Sequence, residues 1–403
     1  MSWIQQSPKG VMVLESANSR HPARLGHPGP SVTPPSAPPI FQTTAFDVPD
    51  LTVLHQLYDG TVPGDIYTRD SNPNHTALAA SIATMEHAEA GAVFASGMGA
   101  IGSIFLALTS AGDHVLVADA LYGKTMQLAS RMQRLGVEIS SFPVSAPETI
   151  SSHVRERTRF ILVETVSNPL VEVADLPAII HHAGKIPVVV DSTFTTPELI
   201  RPVELGAAIV FHSASKYLNG HGDVMLGAAA GSRALMKQLT ETASVFGQNA
   251  NPFESWLTQR GLRTLPLRMQ QVCQTTRRLA ETLSRHKNIQ AVHYPLLDGH
   301  RSVNTARKLY PNGTGGILSV ELRGDGFEVV NRFMQAASGI PFSPTLADAR
   351  TTLSHPATTS HRFLSTDARA ALGIRDTLVR ISVGLEPLDQ LAAELEDALN
   401  ELG

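Results

Sequence analysis

The chain has 403 residues, 42% of them hydrophobic, enough to bury a large core and to divide into roughly two or three domains. Its 32 basic residues nearly balance 36 acidic ones, so it lacks the electrostatic footprint of a partner for nucleic acid or an anionic membrane. One cysteine, Cys273, excludes an internal disulfide framework and fits a reducing, cytoplasmic setting.

The opening MSWIQQSPKGVMVLES lacks an apolar core long enough for a signal peptide. Residues 1–40 are rich in Pro, Ser, Gly and His and read as an extended arm, with the first domain expected beyond residue 60. From about residue 76 to 232, strands alternate with helical stretches. GAVFAS, HVLVAD, RFILVETV, IPVVVDS and AAIVFHSAS are the strands, with LGAAAGS a further candidate. Short continuous apolar runs are what fully buried parallel strands look like, so residues 61–250 read as an α/β layered domain. Residues 91–112 form 22 uncharged positions, long enough to imitate a membrane span, but five are glycine. The run reads as strand, turn and helix. Beyond residue 250 the stretch ESWLTQRGLRTLPLRMQQVCQTTRRLAETLSRH is helical. The strands GGILSVEL and LVRISVGLE follow, and LDQLAAELEDALNEL closes the chain as an amphipathic helix. Residues 251–403 therefore read as a smaller α+β domain.

Within the uncharged run, Gly97, Gly99 and Gly102 spell G-x-G-x-x-G. A glycine-rich turn entering a helix binds anions through unpaired backbone N–H groups and the helix dipole. Asp119, seventeen residues past Gly102, stands where a ribose-binding acid of a dinucleotide site would be. The motif points to phosphate without saying what carries it.

A buried parallel sheet places its chemistry at the carboxyl ends of its strands. Those ends are Ser96-Gly97-Met98, Asp119 to Tyr122, Glu164 to Asn168, Asp191, and His212 to Lys216. Alone, Asp191 reads as a cap or turn residue and Lys216 as a solvated lysine. Together they meet a requirement of pyridoxal phosphate: an amine for a Schiff base, an acid opposite the pyridinium nitrogen, and an anion cup. Lys216, Asp191 and the Gly97 turn supply these, with Ser213 and Ser215 as further phosphate donors. Rival motifs fall short. Ser213-x-x-Lys216 matches S-x-x-K, but neither S-D-N nor K-T-G occurs. Tyr122-Gly123-Lys124-Thr125 resembles the tail of a P-loop, yet Ala118 stands where its first glycine belongs. His181-His182 share no metal-ligand spacing with an acid or cysteine, and no metal is expected.

These residues reach a family. The chain resembles the Cys/Met-metabolism enzymes, the γ-family of pyridoxal-phosphate enzymes, which includes cystathionine γ-synthase, cystathionine γ-lyase, methionine γ-lyase and the O-acylhomoserine sulfhydrylases. The resemblance runs from PPIFQTTAF at Pro38 to about residue 398. It is carried by YTRDSNPN, SGMGA, LYGKT, VETVSNPL, VVDSTFTTP, HSASKYLNGHGDV, RGLRTLPLRM, HPATTSH and RISVGLE. It makes the glycine motif a cup for pyridoxal phosphate and implies an aspartate-aminotransferase-like (fold type I) α/β architecture, mostly parallel in its central sheet.

The resemblance also implies roles. Lys216 would hold the cofactor and shuttle protons, Asp191 would keep its ring nitrogen protonated, and Tyr122 would stack on the ring. Gly97, Met98, Ser213 and Ser215 would bind the phosphate. Tyr67 and Arg69 would complete the cup from a neighbouring subunit, in a dimer with shared sites and a homotetramer built on it. Asn168 would bond the phenolic oxygen, Arg380 would clamp the substrate carboxylate, and Glu164 would support from behind. The chain departs from the family pattern at Ser192, at Lys124, and at Thr345-Leu346-Ala347 where S-L-G is usual; these changes bear on the substrate. The expected reaction is γ-replacement on O-acetyl- or O-succinylhomoserine with a sulfur nucleophile. A γ-lyase giving 2-oxobutyrate and ammonia, or replacement by a carbon nucleophile, are the alternatives.

Overall fold

The computed structural model describes residues 35–403, so most of the expected N-terminal arm lies outside the described residues. Before residue 60 it contains a helix, Leu51–Tyr58, capped by the Asp50 carboxylate accepting the Val53 N–H. None of its residues is buried.

Seven strands form the central sheet: β1 (Ala90–Phe94), β2 (His114–Ala118), β3 (Glu138–Phe142), β4 (Thr158–Glu164), β5 (Val188–Asp191), β6 (Ile209–Ser213) and β7 (Gly227–Gly231). Their spatial order is β1-β7-β6-β5-β4-β2-β3. β7 alone runs against the direction of the other six. Along β6, Val210 joins one apolar cluster while Ile209 and Phe211 join the other, the period of two that a sheet covered on both faces requires. β7 is built of glycine and alanine because backbone crowds it. A Cβ on Gly227 would lie 2.1 Å from the Ser96 carbonyl oxygen. β3 is absent from the strands expected from sequence. Its segment, EISSF, is an edge strand with Phe142 as its only fully buried residue, so it carries no apolar run.

The second sheet is antiparallel, in the order β10-β11-β9-β8, from β8 (Ile289–His293), β9 (Ile317–Leu322), β10 (Thr352–Ser354) and β11 (Leu378–Ser382). β9 and β11 are the expected pair; β8 and β10 are too short or too polar to stand out. The helical stretch after residue 250 divides into helices Pro252–Leu262 and Leu265–Leu283, the second opening with Pro266 in its first turn, where a missing N–H costs nothing. Leu279 and Leu283 of that helix and Leu391 and Leu395 of the last helix cover the small sheet. The uncharged run 91–112 is most of β1, a turn, the helix Gly97–Leu108 and the turn after it. Among the described residues, no helix is long and apolar enough to cross a membrane.

Candidate active site

The carboxyl ends of β4, β5 and β6, the start of the helix Gly97–Leu108 and β11 of the small sheet surround one cavity of ≈ 780 Å³. One end is an anion cradle. Ser96 caps the helix, its hydroxyl accepting the Gly99 N–H at 2.9 Å. The Gly97 and Met98 N–H groups have no partner among the described residues, and both residues line the cavity. A Cβ on Gly97 would sit 2.8 Å from the Ser213 Cβ, so a side chain there would force the cradle apart. Gly102, third in the motif, packs against the Gln248 amide instead.

Asp119 takes no part in this cradle. Its carboxylate accepts the Val144 N–H at 3.0 Å and shapes a turn outside the cavity. The dinucleotide geometry is therefore absent.

Ser213 and Ser215 both line the cavity, with different freedom. The Ser215 hydroxyl is engaged by Leu226, accepting its N–H at 2.9 Å and donating to its carbonyl at 3.3 Å. The Ser213 hydroxyl has no partner among the described residues, while the Ser213 N–H donates to Thr193 Oγ1 at 2.9 Å.

Asp191 ends β5 with its carboxylate held by Thr193, whose backbone N–H donates at 2.9 Å and whose hydroxyl donates as well. Thr193 thus links Asp191 to the Ser213 backbone. Reading the sequence passed over Thr193, although D-x-T at a strand end marks an aspartate that bonds its own chain two residues on. Directly opposite, in register, stands Glu164 on β4. Burial raises both carboxyl pKa values; Asp191 raises Glu164 further, whereas the Thr193 bonds pull Asp191 back down. The anion therefore rests on Asp191 and the proton on Glu164. Behind β6, His212 and Glu86 form a wholly buried pair at 2.7 Å, and the His212 charge also favours ionised Asp191. No sequence pattern links these two residues across 126 positions.

Lys216 leaves β6 through a turn and donates from Nζ to Thr345 Oγ1 at 3.1 Å. Burial, and then the Arg380 charge, lower its pKa, which makes free amine easier to reach. Arg380, on β11, is buried and its pKa falls to about 10, so it stays charged at neutral pH. Its Nη1 donates to Asn168 Oδ1 at 3.2 Å and its Nη2 to the Thr345 carbonyl at 2.8 Å, while Nε has no partner. Thr345 therefore touches both the amine and the guanidinium. Asn168 precedes Pro169 through a cis peptide bond.

Tyr122 precedes the helix Gly123–Arg134 and donates its N–H to Glu164 Oε1. Its ring lines the cavity and burial raises its phenol pKa. Lys124, at the mouth, is exposed and donates to Gln127 Oε1 at 3.1 Å. Ser192 proves remote from the substrate space. It is buried in a hydroxyl network with Thr195 and Thr165, so that departure from the family pattern lies behind the site. Tyr67 and Arg69 do not reach this chain's cavity; Arg69 lies over the Tyr67 ring at 5.1 Å. Among the described residues, no group of three His, Cys, Asp or Glu side chains is placed to hold a metal ion, and His181-His182 end a surface helix.

An amine of lowered basicity, a half-buried carboxylate with fixed donors and a cradle with no space for a Cβ at Gly97 are the donor set that pyridoxal phosphate requires. The described geometry fits that group.

Comparison with known proteins agrees. Residues 24–400 match the family described as Cys/Met metabolism PLP-dependent enzyme. The chain is 38% identical to the O-succinylhomoserine sulfhydrylase of Pseudomonas aeruginosa over 90% of both chains. It is 36% identical to an L-methionine gamma-lyase of Porphyromonas gingivalis, covering 91% of this chain and 93% of that one. Cystathionine gamma synthase from Xanthomonas oryzae pv. oryzae, solved with aminoacrylate and cysteine, superposes with a TM-score of 0.85 at 31% identity, covering 91% of this chain and 93% of the other. The fold-type-I architecture expected from the motifs is thereby established.

Proposed function

This chain belongs to the Cys/Met-metabolism family of pyridoxal-phosphate-dependent enzymes, and from that premise we propose that it performs γ-replacement on an O-acylated homoserine with a sulfur nucleophile. The observation that carries this reading is the one cavity in which Lys216, Asp191 and Arg380 meet. At ≈ 780 Å³ it lies in the upper part of the range of about 300–1,000 Å³ typical of small-molecule sites. Cofactor and amino acid would share that room. The likeness to an O-succinylhomoserine sulfhydrylase supports the same reading.

Bound pyridoxal phosphate supplies the electron sink for charge developing at the substrate α-carbon. The residues of this chain do the rest. The N–H groups of Gly97 and Met98 and the Ser213 hydroxyl would hold the phosphate, with Ser215 fixing the turn beside them. Asp191, held by Thr193, would pair with the ring N–H, and Asn168 would bond the phenolic oxygen. Tyr122 would cover the ring and exclude water from that face. Arg380 orients the amino acid by its carboxylate, a planar fork that matches two oxygens. Lys216 Nζ would take the α-proton and give it up to the bound cofactor before taking one from the β-carbon as the γ-substituent leaves; once the sulfur nucleophile has bonded to the γ-carbon, the β- and α-carbons would be reprotonated. Thr345 keeps Nζ aimed between these positions. Tyr67 and Arg69 would reach the phosphate of a neighbouring subunit. In this reading residues 61–250 bind the cofactor and residues 251–403 supply Arg380 and Thr345.

The test is product analysis of the holoenzyme with O-acetyl- and O-succinylhomoserine, with and without sulfide. A sulfide-dependent amino-acid thiol is the expected product. Cleavage of methionine to 2-oxobutyrate, without sulfide-dependent replacement of either ester, would make it a γ-lyase.

A further inference from the structure

Two cations stand at the mouth of the cavity without an acid. Lys124 lies in the first turn of the helix Gly123–Arg134, and Arg362 lies in the turn that follows β10. These two segments touch, since a Cβ on Gly123 would be 2.6 Å from the Ser360 carbonyl oxygen and 2.6 Å from the Phe363 ring. Lys124 and Arg362 both line the cavity. The acids that line it are Glu164 and Asp191, both on its floor at the ends of β4 and β5.

Neither cation is neutralised. The Lys124 ammonium donates to the uncharged Gln127 amide. The Arg362 guanidinium has no ion pair or hydrogen bond among the described residues. Lys124 also sits at the positive end of its helix dipole, with no acid in the first turn to offset it. Arg380 already serves the inner end of the same cavity. An amino acid clamped there by its α-carboxylate would have Lys124 and Arg362 within the same cavity for its side chain to meet.

We propose that Lys124 and Arg362 form a second carboxylate-binding subsite, selecting a substrate whose γ-substituent ends in an acid group. The chemical class is the half-ester of a dicarboxylic acid with homoserine. This rests on the γ-replacement reading for the identity of the reacting molecule, but the demand for a distal carboxylate can be measured without turnover.

L-2-Aminosuberate and L-2-aminooctanoate share an eight-carbon chain, and only the first ends in a carboxylate. Neither has a γ-leaving group. Spectral titration of the holoenzyme with each gives a ratio of dissociation constants. Two largely exposed charge contacts predict about a tenfold preference for the diacid at low salt, shrinking as salt is raised. In the K124Q/R362Q double variant the ratio should fall to about one. A wild-type ratio below about twofold, or one that survives in the double variant, overturns the subsite.

A kinetic arm places the carboxylate. With sulfide as nucleophile, the double variant should lower the kcat/KM ratio of O-succinyl- over O-acetylhomoserine by a similar factor. A loss confined to reactions with cysteine would move the carboxylate to the nucleophile and overturn the assignment to the leaving group. If the wild type replaces neither ester, the γ-replacement reading fails while the titration still decides the subsite.

Discussion

Glu164 and Asp191 face each other as register partners at the ends of β4 and β5, Glu164 buried and Asp191 bordering the cavity. Two carboxylates so placed cannot both ionise. With both Thr193 donors on Asp191, Glu164 carries the proton and acts as a neutral group beneath the Tyr122 backbone. E164Q, a neutral isostere, should keep cofactor affinity within about threefold, whereas E164A strands the Tyr122 N–H and should weaken it about fivefold. D191A should lower turnover on the order of 100-fold or more. Fluorescence titration of apoenzyme with pyridoxal phosphate compares the affinities, and steady-state kinetics of each holoenzyme compares the turnover. An E164Q variant as damaged as D191A would mean that Glu164 is charged.

Lys216→Ala removes the amine and leaves the cradle and Asp191 in place. The variant should bind pyridoxal phosphate without a covalent bond and lack turnover. Borohydride should then leave the mass of the variant unchanged while fixing the cofactor to the wild-type chain. A protein that remains colourless with added cofactor in both forms would refute the assigned roles.

Arg380 presents a planar fork held by Asn168 and Thr345. Lysine keeps the charge and loses the fork, so R380K should raise KM about 10–100-fold with a smaller change in kcat. Steady-state kinetics on one ester suffices. A kcat loss with KM intact would assign Arg380 to the chemical step.

Burial lowers the pKa of His75 and of His361 to about 4. Unfolded histidine titrates near 6.5. Between these values the unfolded chain binds more protons than the folded one, so stability is full above pH 6.5 and falls as the pH drops toward 4. Each residue should remove about 2 kcal/mol by pH 5. Urea unfolding at pH 7 and pH 5 should show this loss, and H75Q and H361Q should each reduce it. Parallel losses in both variants and wild type would place the pH dependence elsewhere.

Tyr67 and Arg69 lie outside their own chain's cavity. If a neighbour uses them, mixing an inactive Arg69 variant with an inactive Lys216 variant should restore part of the activity through hybrid dimers. Subunit exchange without recovery would show that each site is complete within one chain.

The sequence made the buried parallel strands legible because β2, β4, β5 and β6 are covered on both faces and must be continuously apolar. Edge strands carry no such obligation, which is why EISSF went unseen. Asp191 and Lys216 could be paired because strand ends converge on one rim. Contacts set by tertiary approach were silent: Thr345 reaches Lys216 across 129 positions, and Arg362 reaches the mouth only because its turn lies against Gly123. Ser192 misled for the opposite reason. Its neighbour Asp191 faces the cavity, and alternation along a strand turns the next side chain away.

The crowding at Gly97 and Gly227 separates what can drift in this protein from what cannot. Where the backbone leaves no space for a single added carbon, the floor holds its geometry against mutation by exclusion alone. Lys124, Gln127, Ser360 and Arg362 line the same cavity at positions that already carry side chains. Lineages, or engineers, can therefore exchange one leaving group for another at the rim while the catalytic floor is inherited intact, and a library confined to those four positions should yield new specificities without loss of cofactor.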